Sequence, residues 1–234
     1  MITLSFDSTA KIATVAVTNS DKLLALYSID NGLTQSELLM PMAESMLKSL
    51  KLDFTDIELL ASSVGPGSFT GVRIGTALVK GIAFGKNIPC ANVSTLEALA
   101  ENLADFEGTI VPVMDARRSQ LYCAIFNCTN GRLARQTEDM AISIAELAEM
   151  LKEKSGKIYL VGDGYEVAKN NLSKLGICTE VTPYLLRNEN AYSVAKVAVR
   201  MHSEGKTSTD AEHLPTYLRV PQAERERLER LQGK

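Results

Sequence analysis

Near the start of the chain, apolar and polar positions alternate with a period of two. The run "ITLSFDSTAKIATVAV" predicts a strand, a polar turn at Asp7 and a returning strand, and "KLLALYSI" predicts a third. The same layout recurs mid-chain. "IVPVMDARRSQLYCAIF" turns around Asp115, and "RLARQTEDMAI" supplies a less regular third strand. Sequential strands joined by short polar turns predict an antiparallel meander in each half.

After each meander the period lengthens towards that of a helix. Thr34 and Glu37 form a capping box opening a helix to Leu50, with an apolar stripe of Leu38, Leu39, Met42, Met46 and Leu50. "IELLASSVG" reads as a buried strand entering a glycine loop, with a helix from about Thr70 to Phe84 behind it. "NIPCANV" is a strand, and Ser94 with Glu97 caps the next helix. In the second half Ser143 and Glu146 cap a helix, "KIYLVGDG" is a strand with a tight turn, and helices alternate with "GICTEV". This doubled pattern predicts an α/β protein of two related domains, 1–107 and 108–234, divided where Gly108 punctuates "DFEGTIV". The closing "QAERERLERLQGK" is helical in pattern, with Glu226 and Arg230 at i,i+4.

Composition narrows the function. With 234 residues, a formal charge of -3 and a pI near 5.6, the chain has no global pull towards nucleic acid or anionic membrane. No apolar run approaches a bilayer span and no basic segment precedes one, so a cytoplasmic protein is expected. The four cysteines form no C-x-x-C, and the two histidines, His202 and His213, have no second ligand at metal-binding spacing. No nucleophile elbow occurs. These patterns leave protein-ligated metal chemistry and nucleophilic catalysis little to work with, and no metal-ligand set is expected. Asp7, Ser8 and Thr9 remain, either as an Asx-turn or as a turn holding hydrated Mg2+ and a phosphate.

The stretch "SSVGPGSFTGVRIG" carries the other candidate. It lacks the Lys-Ser/Thr pair of a P-loop, yet strand, glycine loop and helix N-terminus together can bind an anion at Gly65, Gly67 and Ser68. The alternative is a turn that lets the helix pack closely. Along that helix Gly71, Gly75, Leu78, Ile82 and Gly85 share roughly one face, and Arg73 lies beside them. Each helical glycine costs about 1 kcal/mol relative to alanine, so a stripe of them implies close approach of a neighbour. That neighbour is the Leu38/Met42/Met46 helix of this chain or of a partner.

With "GPGSFTGVRIG", "VSTLEALA", "DARRSQLYCAIF" and "PTYLR" assembled, nearly the whole chain resembles the bacterial TsaB family, also called YeaZ, which serves in making threonylcarbamoyladenosine in tRNA. The resemblance implies an actin-like fold of two related domains. The family is itself similar to its catalytic relative TsaD, which carries an H-x-x-x-H metal pair where this chain has Thr95 and Leu99. It therefore implies a non-catalytic subunit that dimerises with TsaD and works with the ATPase TsaE, with ATP and metal belonging to those partners. tRNA is then met only through the assembled complex, and a homodimer is expected when the partner is absent. The implied seam joins the first two helices, through Thr34, Leu38, Met42, Met46, Gly71, Arg73, Gly75, Leu78 and Ile82. One departure is Leu33, where many members have histidine. Against this reading stands an autonomous ATPase or kinase using Asp7, Ser8 and Thr9, and, with still less support, a metallopeptidase.

Overall fold

The computed structural model describes residues 1–117 and 120–219, so the helix expected after Val220 lies outside the described residues. In the first half, β1 (Ile2–Asp7), β2 (Ala13–Asn19), β3 (Lys22–Ile29), β4 (Leu59–Gly65) and β5 (Cys90–Ser94) form a sheet in the order β3-β2-β1-β4-β5. The meander is antiparallel, and β4 and β5 add in parallel. Helices α1 (Gln35–Leu50) and α2 (Phe69–Ala83) cover one face, burying Leu39, Met46 and Val79 against Leu4, Phe6 and Val15. The capping box expected at Thr34 and Glu37 is present, the Glu37 carboxylate accepting from the Thr34 backbone N–H at 3.2 Å.

The second half repeats this plan with breaks. β6 (Gly108–Asp115) is central, and β11 (Ile158–Val161) pairs with it in parallel. On its other side the returning strand is split. β7 (Gln120–Cys123) pairs with Val113–Asp115, and β8 (Phe126–Thr129) pairs with Gly108–Ile110. The third strand splits likewise into β9 (Arg132–Arg135) and β10 (Met140–Ser143), which is why "RLARQTEDMAI" reads as irregular. The counterpart of β5 shrinks to one bridge, Tyr159 to Glu180. α4 (Ile144–Lys152) and α5 (Tyr165–Lys174) cover this sheet's outer face. The two halves thus share one plan, an α/β sheet built on a meander.

The last helix of each half crosses to the other. α3 (Thr95–Glu101) sends Leu96, Leu99 and Ala100 into the second sheet's core beside Ile110, Met114 and Phe126. α6 (Ala191–Ser203) packs Val194, Val197 and Ala198 on Leu59, Ala61 and Val93 of the first. A buried leucine contributes about 1.5–3 kcal/mol. Withdrawing α3 would forfeit several kcal/mol, comparable with the whole stability of a domain, so the halves hold together.

Period-two alternation alone would place Thr3, Ser5 and Asp7 on a solvent face. Instead α6 lies over them, and all three are buried. Ala191, Ala195 and Ala198 let the helix come close. Ser5 Oγ donates to the Ala191 carbonyl at 2.7 Å, and Thr14 Oγ1 accepts from the Ala191 N–H at 3.3 Å. The first sheet is thus covered on both faces.

Candidate functional site

A cleft of about 570 Å³ opens between the halves. Thr9 and Lys11 of the β1–β2 turn, Ser68 and Phe69 at the start of α2, and Asp115, Arg117 and Asp163 of the second half line it. The doubled turns around Asp7 and Asp115, read as equivalent in the sequence, therefore do face one space.

The first turn is closed on itself. Asp7 is 1% exposed and does not reach the cleft. Its Oδ1 accepts from Thr9 N at 2.8 Å and Thr9 Oγ1 at 2.7 Å, and its Oδ2 accepts from Ser63 Oγ. Ser8 Oγ donates to the Gly71 carbonyl at 2.8 Å. The glycine loop is spent in the same way: Ser68 N donates to the Thr9 carbonyl at 2.6 Å, and Ser68 Oγ accepts from Gly71 N at 3.3 Å. A metal–phosphate cradle needs a solvent-facing carboxylate and free N–H groups. Asp7, Ser8, Thr9 and Ser68 do not fit one. Their arrangement is the Asx-turn alternative.

Burial pushes the Asp7 carboxyl up, against the lowering effect of its hydrogen bonds. Glu189, also buried, is raised well above the usual carboxylate range by burial and then by Asp7 and Asp163. Its Oε1 has no hydrogen-bond partner. Asp163 is raised by desolvation at the cleft wall, although its Oδ1 accepts from the Asp115 N–H at 3.1 Å. Among the described residues no three His, Cys, Asp or Glu are arranged to hold a metal. Thr95 and Leu99 are both buried, Leu99 inside an apolar cluster. Sequence reading passed over Asp163 and Glu189. The tight turn "VGDG" after a strand is the one signal that points to Asp163.

The glycine stripe has a different neighbour from the one expected. A Cβ at Gly71 would lie 1.8 Å from the Ser8 carbonyl oxygen, and one at Gly75 would lie 2.9 Å from Ser8 Oγ. At Gly67 it would lie 2.6 Å from the Thr9 carbonyl oxygen, and at Gly65 2.3 Å from that of Thr216. The glycines admit the β1–β2 turn and the C-terminal segment of this same chain, not another helix. Gly71, Gly75, Met42 and Met46 of the expected seam are buried inside the subunit, while Ile82, largely buried, reaches an outer groove. Thr34 and Arg73 are exposed, and Leu38 and Leu78 are half-buried. Arg73 turns inward along the chain: its guanidinium stacks 3.7 Å from the Phe69 ring centre and its Nε donates to Tyr217 Oη at 2.8 Å. What faces outward from α1 and α2 is an apolar groove of about 400 Å³, lined by Met40, Phe54, Ala77, Leu78, Gly81, Ile82 and Lys86. Phe84, at the end of α2, is 78% exposed.

Behind α2 lies a feature the sequence showed only as a lone histidine. His213 is wholly buried, with Nε2 2.8 Å from Ser62 Oγ and no partner on Nδ1. Burial, helped by Lys80, lowers its pKa to about 4. The folded state thus holds His213 neutral, while the unfolded chain takes up its proton near the ordinary value of about 6.5. Stability from this group is fully present above pH 6.5 and is lost as pH falls towards 4, by up to about 3 kcal/mol. Glu189 works in the opposite direction over part of that range. His213→Gln should therefore flatten the fall of the melting temperature between pH 6.5 and 4.5 relative to wild type. Parallel pH profiles for the two proteins would show that the imidazole is not held neutral.

Comparison with known proteins places this geometry. Residues 34–228 match the family described as TsaD, tRNA N6-adenosine threonylcarbamoyltransferase. The chain is 31% identical to the tRNA threonylcarbamoyladenosine biosynthesis protein TsaB of Bacillus subtilis, over 96% of each chain. To the protein of that name in Escherichia coli it is 29% identical, over 92% of this chain and 94% of the other. In three dimensions it is similar to YeaZ from Pseudomonas aeruginosa, with a TM-score of 0.78 at 21% identity, over 93% of this chain and 99% of that one.

Proposed function

The chain belongs to the TsaB family, and on that premise we propose that it serves tRNA threonylcarbamoyladenosine formation as a non-catalytic subunit that docks TsaD through the outward faces of α1 and α2. The observation that carries this reading is the apolar groove of Met40, Phe54, Ala77 and Leu78, continued by the exposed ring of Phe84. Exposed apolar surface of this kind marks a protein–protein contact. The inward closure of Asp7, Ser8 and Thr9 supports the non-catalytic half. ATP and metal then belong to TsaD and TsaE, and tRNA is met by the complex. Without a partner the groove pairs two copies of the chain. Of the seam residues inferred from sequence, Leu78 and Ile82 line the groove, Leu38 and the rim at Thr34 remain available, and the buried ones support the groove from beneath.

Threonylcarbamoyl transfer to unmodified tRNA tests it, with TsaD, TsaE, ATP and the threonylcarbamoyl donor, in the presence and absence of this chain. Product should form only when the chain is added. Leu78→Arg should weaken TsaD binding by more than about 100-fold, a loss of about 2.7 kcal/mol. Its monomer should melt within about 4 °C of wild type. Transfer that ignores the chain, or full binding by folded Leu78→Arg, overturns the proposal.

A further inference from the structure

After α6 the chain turns at Gly205 and runs back across the first half towards the cleft. Ser208 exchanges both backbone hydrogen bonds with Cys90, at 2.9 and 2.8 Å, lying against the outer edge of β5. Lys80 Nζ donates to the Ala211 carbonyl at 3.1 Å, and His213 inserts beside Ser62. Thr216 N then donates to the Val64 carbonyl at 2.7 Å, with the Thr216 carbonyl resting on Gly65. The Tyr217 ring packs 4.9 Å from that of Phe69, and its hydroxyl accepts from Arg73. Finally Arg219 Nη1 donates to the Ala116 carbonyl at 2.7 Å, in the other half. Thr216, Tyr217, Leu218 and Arg219 form one wall of the cleft.

From this path we propose that residues 206–219 are a detachable strap that latches the cleft and opens without unfolding the subunit. The reason lies in how the segment is attached. Of residues 206–219 only His213 is buried, while Leu214 is 56% and Tyr217 41% exposed. The strap is therefore held by separate hydrogen bonds and one imidazole rather than by a hydrophobic core. Attachments of that kind open at a fraction of the global unfolding free energy. β1 and β4, carrying Leu4, Phe6, Leu59 and Leu60 at 0% exposure, open only with the whole fold. Arg219 is the strap's described tie to the second half, so lifting the strap removes a wall of the cleft together with a bridge between the glycine loop and the Asp115 turn. The Phe69–Arg73–Tyr217 cluster is the catch: the Arg73 guanidinium stacks 3.7 Å from the ring centre of Phe69 in the same helix, a contact independent of the strap, so it is in place when Tyr217 returns. This device is independent of which partner occupies the α1/α2 groove.

Hydrogen exchange followed by mass spectrometry on the full chain tests it. Amides of Ser208 and Thr216 should exchange through openings at least about 100-fold more frequent than those of β1. Tyr217→Ala should speed strap exchange roughly tenfold, and the separation of at least about 100-fold between strap and β1 should persist, because β1 opens only by global unfolding, which frees the strap as well. Ala116→Cys, in a Cys178→Ser background, puts a thiol at a position that lines the cleft and is 8% exposed. Its labelling should accelerate when Tyr217→Ala is added. Strap amides as protected as β1, or strap exchange that rises with sub-denaturing urea as steeply as that of β1, would mean that the segment is part of the cooperative core and the latch does not exist.

Discussion

Gly71→Ala is expected to cost the folded monomer, whereas Gly81→Ala in the same helix should leave it intact or slightly more stable. The added methyl at Gly71 would sit 1.8 Å from the Ser8 carbonyl oxygen, a backbone atom with no side-chain freedom to yield. α2 would have to withdraw from the β1–β2 turn, giving up the 2.8 Å bond from Ser8 Oγ and the 2.6 Å bond from Ser68 N to the Thr9 carbonyl. Overpacking a fitted contact costs about 1–3 kcal/mol, and the two lost bonds add about 1 kcal/mol each. The total is a large part of a typical stability of about 5–15 kcal/mol. At Gly81 nothing lies within 4 Å of the added methyl, so only the helix propensity gain remains, up to about 1 kcal/mol, or about 2–4 °C. Thermal melts of both variants decide it. A Gly71→Ala protein melting within about 5 °C of wild type would show that the close approach to Ser8 is not what requires glycine. The same geometry disqualifies Gly75→Leu as a probe of partner docking, because its side chain meets Ser8 before any partner is involved. Leu78→Arg, at the groove, is the variant that separates docking from folding.

Asp7→Ala should destabilise the protein by about 3 kcal/mol, and Asp7→Asn by much less. Alanine leaves Ser63 Oγ, Thr9 N and Thr9 Oγ1 without an acceptor in a sealed site. Each buried unmade bond costs about 1–3 kcal/mol, partly recovered by relaxation. Asparagine keeps an acceptor for Thr9 and needs only that the Ser63 hydroxyl rotate to receive its N–H. Because burial raises the Asp7 carboxyl above its ordinary value, its contribution is fully present below the usual carboxylate range and declines as pH rises through the raised value. Asp7→Asn should therefore lose that part of the pH dependence and gain on wild type towards neutral pH. Urea unfolding of the three proteins at pH 5 and 7.5 measures both effects. In the tRNA transfer assay folded Asp7→Asn should match wild type. Loss of transfer with stability and complex assembly intact would make Asp7 a chemical residue.

Much of this was legible in the chain. The period-two meanders, the caps at Thr34, Ser94 and Ser143 and the doubled order of elements are local patterns, and the first-half strands and the capped helices lie where they predict, whereas in the second half two strands are split and "GICTEV" makes a single bridge. The need for glycine at Gly71 and Gly75 was legible too, as an excess of poor helix formers on one face. The identity of their neighbour was not. Ser8 lies 63 residues from Gly71, and Ser62 lies 151 from His213. Contacts of such separation leave no periodic trace.

By itself, then, the sequence determined the elements, their doubled order and the membership of a family, because spacing, capping and long motifs are properties of neighbouring residues. Only the tertiary structure decided that α6 covers the polar face of β1, that Asp7 is sealed from the cleft, and that residues 216–219 form one wall of the cleft. Those outcomes depend on which distant surfaces meet, and a side chain's chemistry follows from what encloses it.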